Sequence, residues 1–144
     1  MRLEPLYRAT LTTPESWHVE LRGDHGIEEQ SFLIAEGRTE GRVDARLRAA
    51  NFPRRRFDGT QQPDFRGVLE TDDGAVIMFQ WHGYGRAGHL VGAMTHLTED
   101  DAYRALNGAV CAVAGEVRAR EEGGFDVVLE VLEMIWEPIG GESA

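Results

Sequence analysis

Between the apolar-rich runs Phe65-Arg66-Gly67-Val68-Leu69-Glu70 and Val76-Ile77-Met78-Phe79-Gln80-Trp81 the chain reads Thr71-Asp72-Asp73-Gly74-Ala75. Asp-Gly between two such runs calls for a tight hairpin, because a two-residue turn holds both central residues at positive φ. A two-residue turn at Asp73-Gly74 pairs Glu70 with Ile77, Val68 with Phe79 and Arg66 with Trp81. The same grammar recurs along the chain. Leu6 to Leu11, Ser31 to Ala35 and Gly41 to Ala49 are apolar or alternating segments bounded by Gly, Pro or acidic clusters. In the last of these Val43, Ala45 and Leu47 point one way and Arg42, Asp44, Arg46 and Arg48 the other, the period of a half-buried strand. Leu90 to Leu97, Ala109 to Arg118 and Phe125 to Trp136 add further strands. One helix is expected, with Thr98 as N-cap, acids in its first turn and Asn107-Gly108 at its end. Many strands at short spacing with a single short helix predict a mainly β chain. It is expected to be one domain over residues 1–144, an antiparallel β-barrel of calycin-like or allene-oxide-cyclase-like form.

A second glycine-rich stretch, Trp81-His82-Gly83-Tyr84-Gly85-Arg86-Ala87-Gly88-His89, contains a literal G-x-G-x-x-G. A dinucleotide fingerprint needs a helix opening on its last glycine, whose N-terminus holds the pyrophosphate. His89 to Leu97, with Val91, Gly92 and Thr95 and no amphipathic stripe, is a poor helix. The stretch therefore reads as another hairpin loop, and no cofactor is expected. A turn centred on Gly85-Arg86 pairs Trp81 with Leu90, Phe79 with Gly92 and Ile77 with Met94. One face then carries Asp64, Arg66, Val68, Ile77, Phe79, Trp81, Leu90, Met94 and His96. The other carries Phe65, Leu69, Val76, Met78, Gln80, His82, His89, Val91 and Ala93. Both are substantially apolar, so the outer one should be covered by the helix or by a second subunit, most simply in a homodimer.

Charge and residue usage exclude several chemistries. The net charge of −10 disfavours nucleic acid and anionic membrane surfaces as partners. Lysine is absent, so neither a Schiff base nor a P-loop lysine is available. The single cysteine, Cys111, lies in an apolar run and reads as a buried, inert thiol. The start, with Arg2, Glu4 and Pro5, lacks the apolar core of a signal peptide, and no apolar stretch approaches the roughly 20 residues of a membrane span. A reducing cytoplasm is the expected setting. Arg54-Arg55-Arg56 is either a solvated loop or a clamp for a carboxylate or phosphate.

The first face is the better pocket. Asp64 and Arg66 would form the polar end of an otherwise apolar cavity with Trp81, or else an ion pair at a strand end with no ligand. Phe79, Met94 and His82 complete the expected binding set. His96 and Tyr84 have the reach and pKa range of general acid/base groups, and Glu116, Glu130 and Glu133 interrupt apolar strands. Glu130 and Glu133 differ by an odd number, so at most one points inward. The expected catalytic candidates are His96, Tyr84 and Glu116. The expected register sets His82 opposite His89, within reach of one ion, but a third ligand has no source and no metal is expected. No serine sits in a nucleophile elbow.

The stretch Pro63-Asp64-Phe65-Arg66 through Thr71-Asp72-Asp73-Gly74-Ala75-Val76-Ile77, with Leu3-Glu4-Pro5-Leu6 and Tyr103-Arg104-Ala105-Leu106-Asn107, resembles the bacterial domain of unknown function 3237 family over nearly the whole chain. The resemblance implies a small β-barrel without an established general activity. Asp64 and Arg66 fall on its motif positions; His82 does not, and Ala50 to Thr60 looks peculiar to a subgroup. The expectation for function is a barrel enclosing a small apolar or aromatic molecule. Its alternatives are a cofactor-independent isomerase, cyclase, hydratase or lyase using acid/base residues, and an interaction protein whose barrel is filled.

Overall fold

In the computed structural model, which describes residues 1–141, eight long strands carry the fold: β1 (Arg2–Gly23), β2 (Gly26–Gly41), β3 (Ala45–Asn51), β6 (Asp64–Thr71), β7 (Val76–Arg86), β8 (His89–Leu97), β9 (Val110–Ala119) and β10 (Phe125–Ile135). Two short strands, β4 (Arg54–Arg55) and β5 (Gln61–Gln62), lie between β3 and β6. Every long strand pairs antiparallel with the next, and β1 pairs with β10 as well as with β2. The sheet thus closes into the expected antiparallel barrel, and closure leaves no strand of the ring with an unpaired edge.

Alternation decides what fills it. Leu11, Leu47, Leu69, Ile77, Trp81, Met94, Leu129 and Val131 are fully buried in one cluster. The rings of Phe65 and Trp81 pack at 4.7 Å across β6 and β7. Each such side chain contributes about 1.5–3 kcal/mol by leaving water, so the packed interior is what holds the ring together. Val43, Ala45 and Leu47 are buried and Arg42, Asp44, Arg46 and Arg48 exposed, as the alternation predicts, although the strand begins only at Ala45.

The first hairpin differs from expectation by one residue. Thr71 N donates to Ala75 O (2.9 Å) and Gly74 N to Thr71 O (3.0 Å), so the loop is Asp72-Asp73-Gly74, with Gly74 at φ 93°. A three-residue loop of this kind ends in a left-handed residue, which glycine supplies. The pairs are therefore Phe65 with Trp81, Gly67 with Phe79, Leu69 with Ile77 and Asp64 with His82. A slip of one residue turns a strand over. Phe65 and Leu69 enter the core, and Asp64, Arg66 and Val68 face outward, opposite to the expected grouping. The second turn is Ala87-Gly88, both at positive φ, not Gly85-Arg86. Trp81 accordingly pairs with Met94 and Phe79 with His96. This shift is even, so Ile77, Phe79, Trp81, Leu90, Met94 and His96 do share the inner face.

The helix is a 3-10 helix, Asp101–Gly108. Its N-cap is Asp100, whose side chain accepts from Ala102 N at 2.9 Å. Thr98 is not the cap because its hydroxyl donates instead to Val76 O on β7 (2.8 Å). Asn107 closes the segment by bonding both Thr98 N and Thr98 O, each at 2.8 Å. Buried Leu106 and partly buried Tyr103 join the core cluster, and the Tyr103 hydroxyl donates to Asp73 at 3.0 Å. The helix thus packs by the Asp72–Gly74 loop and leaves Val76, Met78, Val91 and Leu97 exposed on the outer sheet face. A second departure is the length of β1 and β2, which run on as a two-stranded ribbon from Glu15 paired with Ile34 to Gly23 paired with Gly26. Trp17, Val19 and Leu21 line one side of it, 54%, 72% and 67% exposed. No helix among the described residues is long and apolar enough to cross a membrane.

Candidate functional site

Asp64 opens β6 and faces outward beside His82, its cross-strand partner on β7; Tyr84 follows His82 on the same face. Asn51 fixes this corner. Its side-chain oxygen accepts from Asp64 N (3.0 Å), while Asp64 O accepts from Phe52 N (3.0 Å). Between them the chain runs out as the β4–β5 hairpin, which pairs with β2 through Gln30–Arg54 and with β7 through Gln61–Gly85. That hairpin therefore lies in the sheet, filling the ring between β2 and β7 beyond the ends of β3 and β6, and it forms the wall at this end of the cleft.

The result is a cleft of about 740 Å3. Phe52, Arg54, Gln62 and Pro63 come from the wall, Asp64, His82 and Tyr84 from the polar floor, and Val91 and Ala93 from β8. A smaller cleft of about 390 Å3 shares Phe52, Arg54 and Asp64 and adds Gln30, Ser31 and Arg66. The middle of the floor is bare backbone, the cross-strand pair Gly83 and Gly92. A Cβ at Gly92 would overlap the His82 carbonyl oxygen and crowd Trp81 Nε1, so the indole lies directly beneath the floor.

Asp64 Oδ1 is buried and accepts no hydrogen bond. His82 Nδ1 stands 3.4 Å from it and Arg66 Nε 3.7 Å, too long or misaligned to satisfy it. The side chain is still 31% exposed and lines the cleft. The wall is held by its own electrostatics: hydrogen bonds from Thr60, its amide first, and Arg56 hold the Asp58 carboxyl down at about 2. The Arg56 guanidinium lies 5.3 Å over the Tyr84 ring.

Of the residues expected at one site, the structure brings Asp64, Arg66, His82 and Tyr84 together. Phe79, Trp81 and Met94 are core side chains on the far side of the sheet, so the expected grouping of Asp64 and Arg66 with Trp81 is corrected by the register slip described above. His82 faces Ala93, and His89 faces Arg86, so these two histidines are not opposite each other. Among the described residues no group of three His, Cys, Asp or Glu is placed to hold a metal. Glu116 points outward, beside His89 and Val128, and pairs with Arg118. Glu130 also faces out, near Arg8, whereas Glu133 lies over Cys111 and is held by Arg42 at 2.7 Å.

His96 is buried inside the ring. Its Nε2 is 2.7 Å from the Tyr7 hydroxyl, which in turn lies 3.0 Å from Met94 Sδ. A hydroxyl has one hydrogen. If Nε2–H donates to Tyr7 and Tyr7 to Met94, only the Nδ1 lone pair is left over, whereas the other tautomer strands an N–H; the hydrogen-bond pattern favours the first. Burial lowers the His96 pKa to about 4, raises that of Tyr7, and pushes the Cys111 thiol up to about 11. These groups are neutral parts of the core.

The wall residues Phe52, Arg54 and Gln62 escape a strand-by-strand reading. The arginine triplet marks the spot in the sequence, but nothing local says that the hairpin it opens pairs with β2 and β7.

No family model matches the chain, and no curated protein sequence matches it. Solved structures do. A β-barrel-like protein from Acinetobacter baumannii AYE superposes with a TM-score of 0.73 at 24% identity, covering 92% of this chain and 94% of that one. A protein of unknown function from Clostridium acetobutylicum gives 0.74 at 16% identity, covering 94% and 100%. An enzyme from Penicillium herquei gives 0.61 at 22% identity, covering 90% and 93%. The class these likenesses define is that of β-barrel-like proteins, and at such identities they concern the fold.

Proposed function

We propose that the chain binds a small, largely apolar or aromatic molecule in the outer cleft rather than inside the ring. One observation carries this reading. Asp64 presents a carboxylate to a cleft of about 740 Å3, within the usual size range of ligand sites, while its inner oxygen lacks a full hydrogen bond. A buried acceptor left unsatisfied costs about 1–3 kcal/mol, which a ligand N–H or O–H that draws the Asp64–His82–Arg66 group together would recover. The resemblance to the domain of unknown function 3237 family belongs to the same proposal, since its motif position Asp64 lines this cleft and Arg66 the adjoining one. Amide NMR with a panel of aromatic fragments tests it. Shifts at Gly83, Val91, Gly92 and Ala93 are expected; shifts centred on Leu129 and Val131, or none, would overturn it.

A second reading, cofactor-independent acid/base catalysis, is favoured by the 3.4 Å approach of His82 to Asp64. A carboxylate–imidazole pair on a cleft floor can take a proton from a bound molecule and return it, with the Tyr84 hydroxyl on the same face. The acid/base work then belongs to Asp64 and His82, not to His96 or Glu116. A homodimer in the cytoplasm is part of the proposal as well, supported by the exposed apolar ribbon and by a lone, buried cysteine.

A further inference from the structure

Arg54 lines three clefts: the cleft of about 740 Å3, the adjoining one of about 390 Å3, and one of about 500 Å3 at the ribbon tip. Its backbone is fixed by pairing with Gln30, so the side chain starts from a set position. Three nearby arginines are engaged. Arg56 pairs with Asp58 at 3.1 Å, Arg66 approaches Asp64 at 3.7 Å, and Arg86 donates to Thr60 Oγ1 at 3.0 Å. Among the described residues Arg54 makes no ion pair, in a chain with 25 acidic side chains against 15 basic ones. Arg55 and Arg56 line the cleft at the ribbon tip together with Asp24 and Glu28, and Arg55 stands opposite Glu29 on β2, whereas Arg54 also reaches the cleft of about 740 Å3, where Asp64 is the one acid among the described lining residues.

We infer that the ligand of the outer cleft carries a carboxylate that Arg54 binds. This rests on the binding reading above and names the class of ligand: an apolar or aromatic carboxylic acid bearing a hydroxyl or N–H at its other end. Guanidinium matches carboxylate with two parallel N–H···O bonds, and such charge-assisted bonds are about twice as strong as neutral ones. The cleft then has two polar groups, which also share the adjoining cleft of about 390 Å3. Arg54 on the wall takes the acid group, Asp64 with His82 takes the donor, and Phe52, Val91 and Ala93 face the apolar body. A single negative charge suits the site better than a doubly charged phosphate, because Asp64 lies in the same cleft and repels added negative charge.

The test uses matched probes: phenylacetate, 4-hydroxyphenylacetate and 2-naphthylacetate, each beside its methyl ester, titrated by NMR and calorimetry into the full chain and into Arg54→Gln. In the unsubstituted protein the acids are expected to bind about tenfold more tightly than their esters, as one charge-assisted pair at a half-exposed site allows. In Arg54→Gln that preference should fall to within about twofold, with the melting temperature unchanged. Arg55→Gln, one residue along the strand, should keep it. Equal binding of acid and ester to the unsubstituted protein, or a preference that survives Arg54→Gln, overturns the carboxylate assignment and leaves the cleft reading standing. If no probe of either kind perturbs the cleft amides, the cleft reading falls, and this inference with it.

Discussion

His96 and Asp64 are both polar side chains set against apolar surroundings, and they differ in what they can exchange with water. His96 is sealed in the ring with Tyr7 and Met94, so its neutral form is the one the fold accepts, and its pKa falls from 6.5 to about 4. Protonated, it would be a buried cation facing Tyr7, Met94 and a Cys111 thiol that burial keeps neutral. Because the folded pKa lies below the unfolded one, the unfolded chain binds the extra proton between pH 6.5 and 4. Stability is therefore lost as pH falls through that window, by up to about 3 kcal/mol from this residue alone. Urea denaturation of the unsubstituted protein and of His96→Phe across pH 4 to 7 measures it. The difference between the two should change by that amount over the window, and a constant difference would refute the assignment. Asp64 keeps contact with solvent through Oδ2 and so remains available to a ligand. The chemical identity of both residues is plain in the sequence, but not their environments: His96 has the expected inward face, whereas Asp64 lies on the face opposite to the one expected.

At the scale of elements, the Asp72–Gly74 loop and the 3-10 helix act as one unit. Asp73 accepts from Thr71 Oγ1 inside the loop and from the Tyr103 hydroxyl of the helix, and these hydrogen bonds hold its carboxyl below the usual range. Asp73→Ala and Tyr103→Phe should each lower the melting temperature, and the double variant should lower it by less than the sum, since one bond is lost in both. Additive losses in a thermal double-mutant cycle would mean that loop and helix are independent. Strand character, the inward set on β7 and β8, and the position of the helix were legible from local pattern. The loop length was not, because a two-residue and a three-residue loop share the Asp-Gly signature. Here Thr71 tips the choice: its hydroxyl accepts from Ala75 N at 2.7 Å and extends the turn by one residue. The ribbon beyond Thr12 is a different case: Trp17, Val19 and Leu21 alternate with His18, Glu20 and Arg22 as a strand does, but alternation does not say that β1 and β2 run on past the ring.

At the scale of the whole molecule, closure leaves two unequal surfaces. The interior is filled by its own side chains, and the outer face carries both the cleft and a run of exposed apolar residues. A two-stranded ribbon alone is marginal in water, so Trp17, Val19 and Leu21 are best stabilised against a second copy. Light scattering at micromolar concentration is expected to give a dimer mass, and Trp17→Ser with Val19→Ser should shift it toward the monomer; a monomer mass for the unsubstituted chain refutes the dimer. The sequence by itself determined that this chain is an antiparallel barrel with one short helix, because alternation, turn residues and caps act over a few neighbouring positions. Only the tertiary structure decided where its chemistry lies. A one-residue difference in a loop set Asp64 and Arg66 on the outside, and the cleft wall comes from a hairpin that pairs with β2 before it and β7 after it in the chain. Such contacts depend on how the ring closes, and no local pattern encodes that closure.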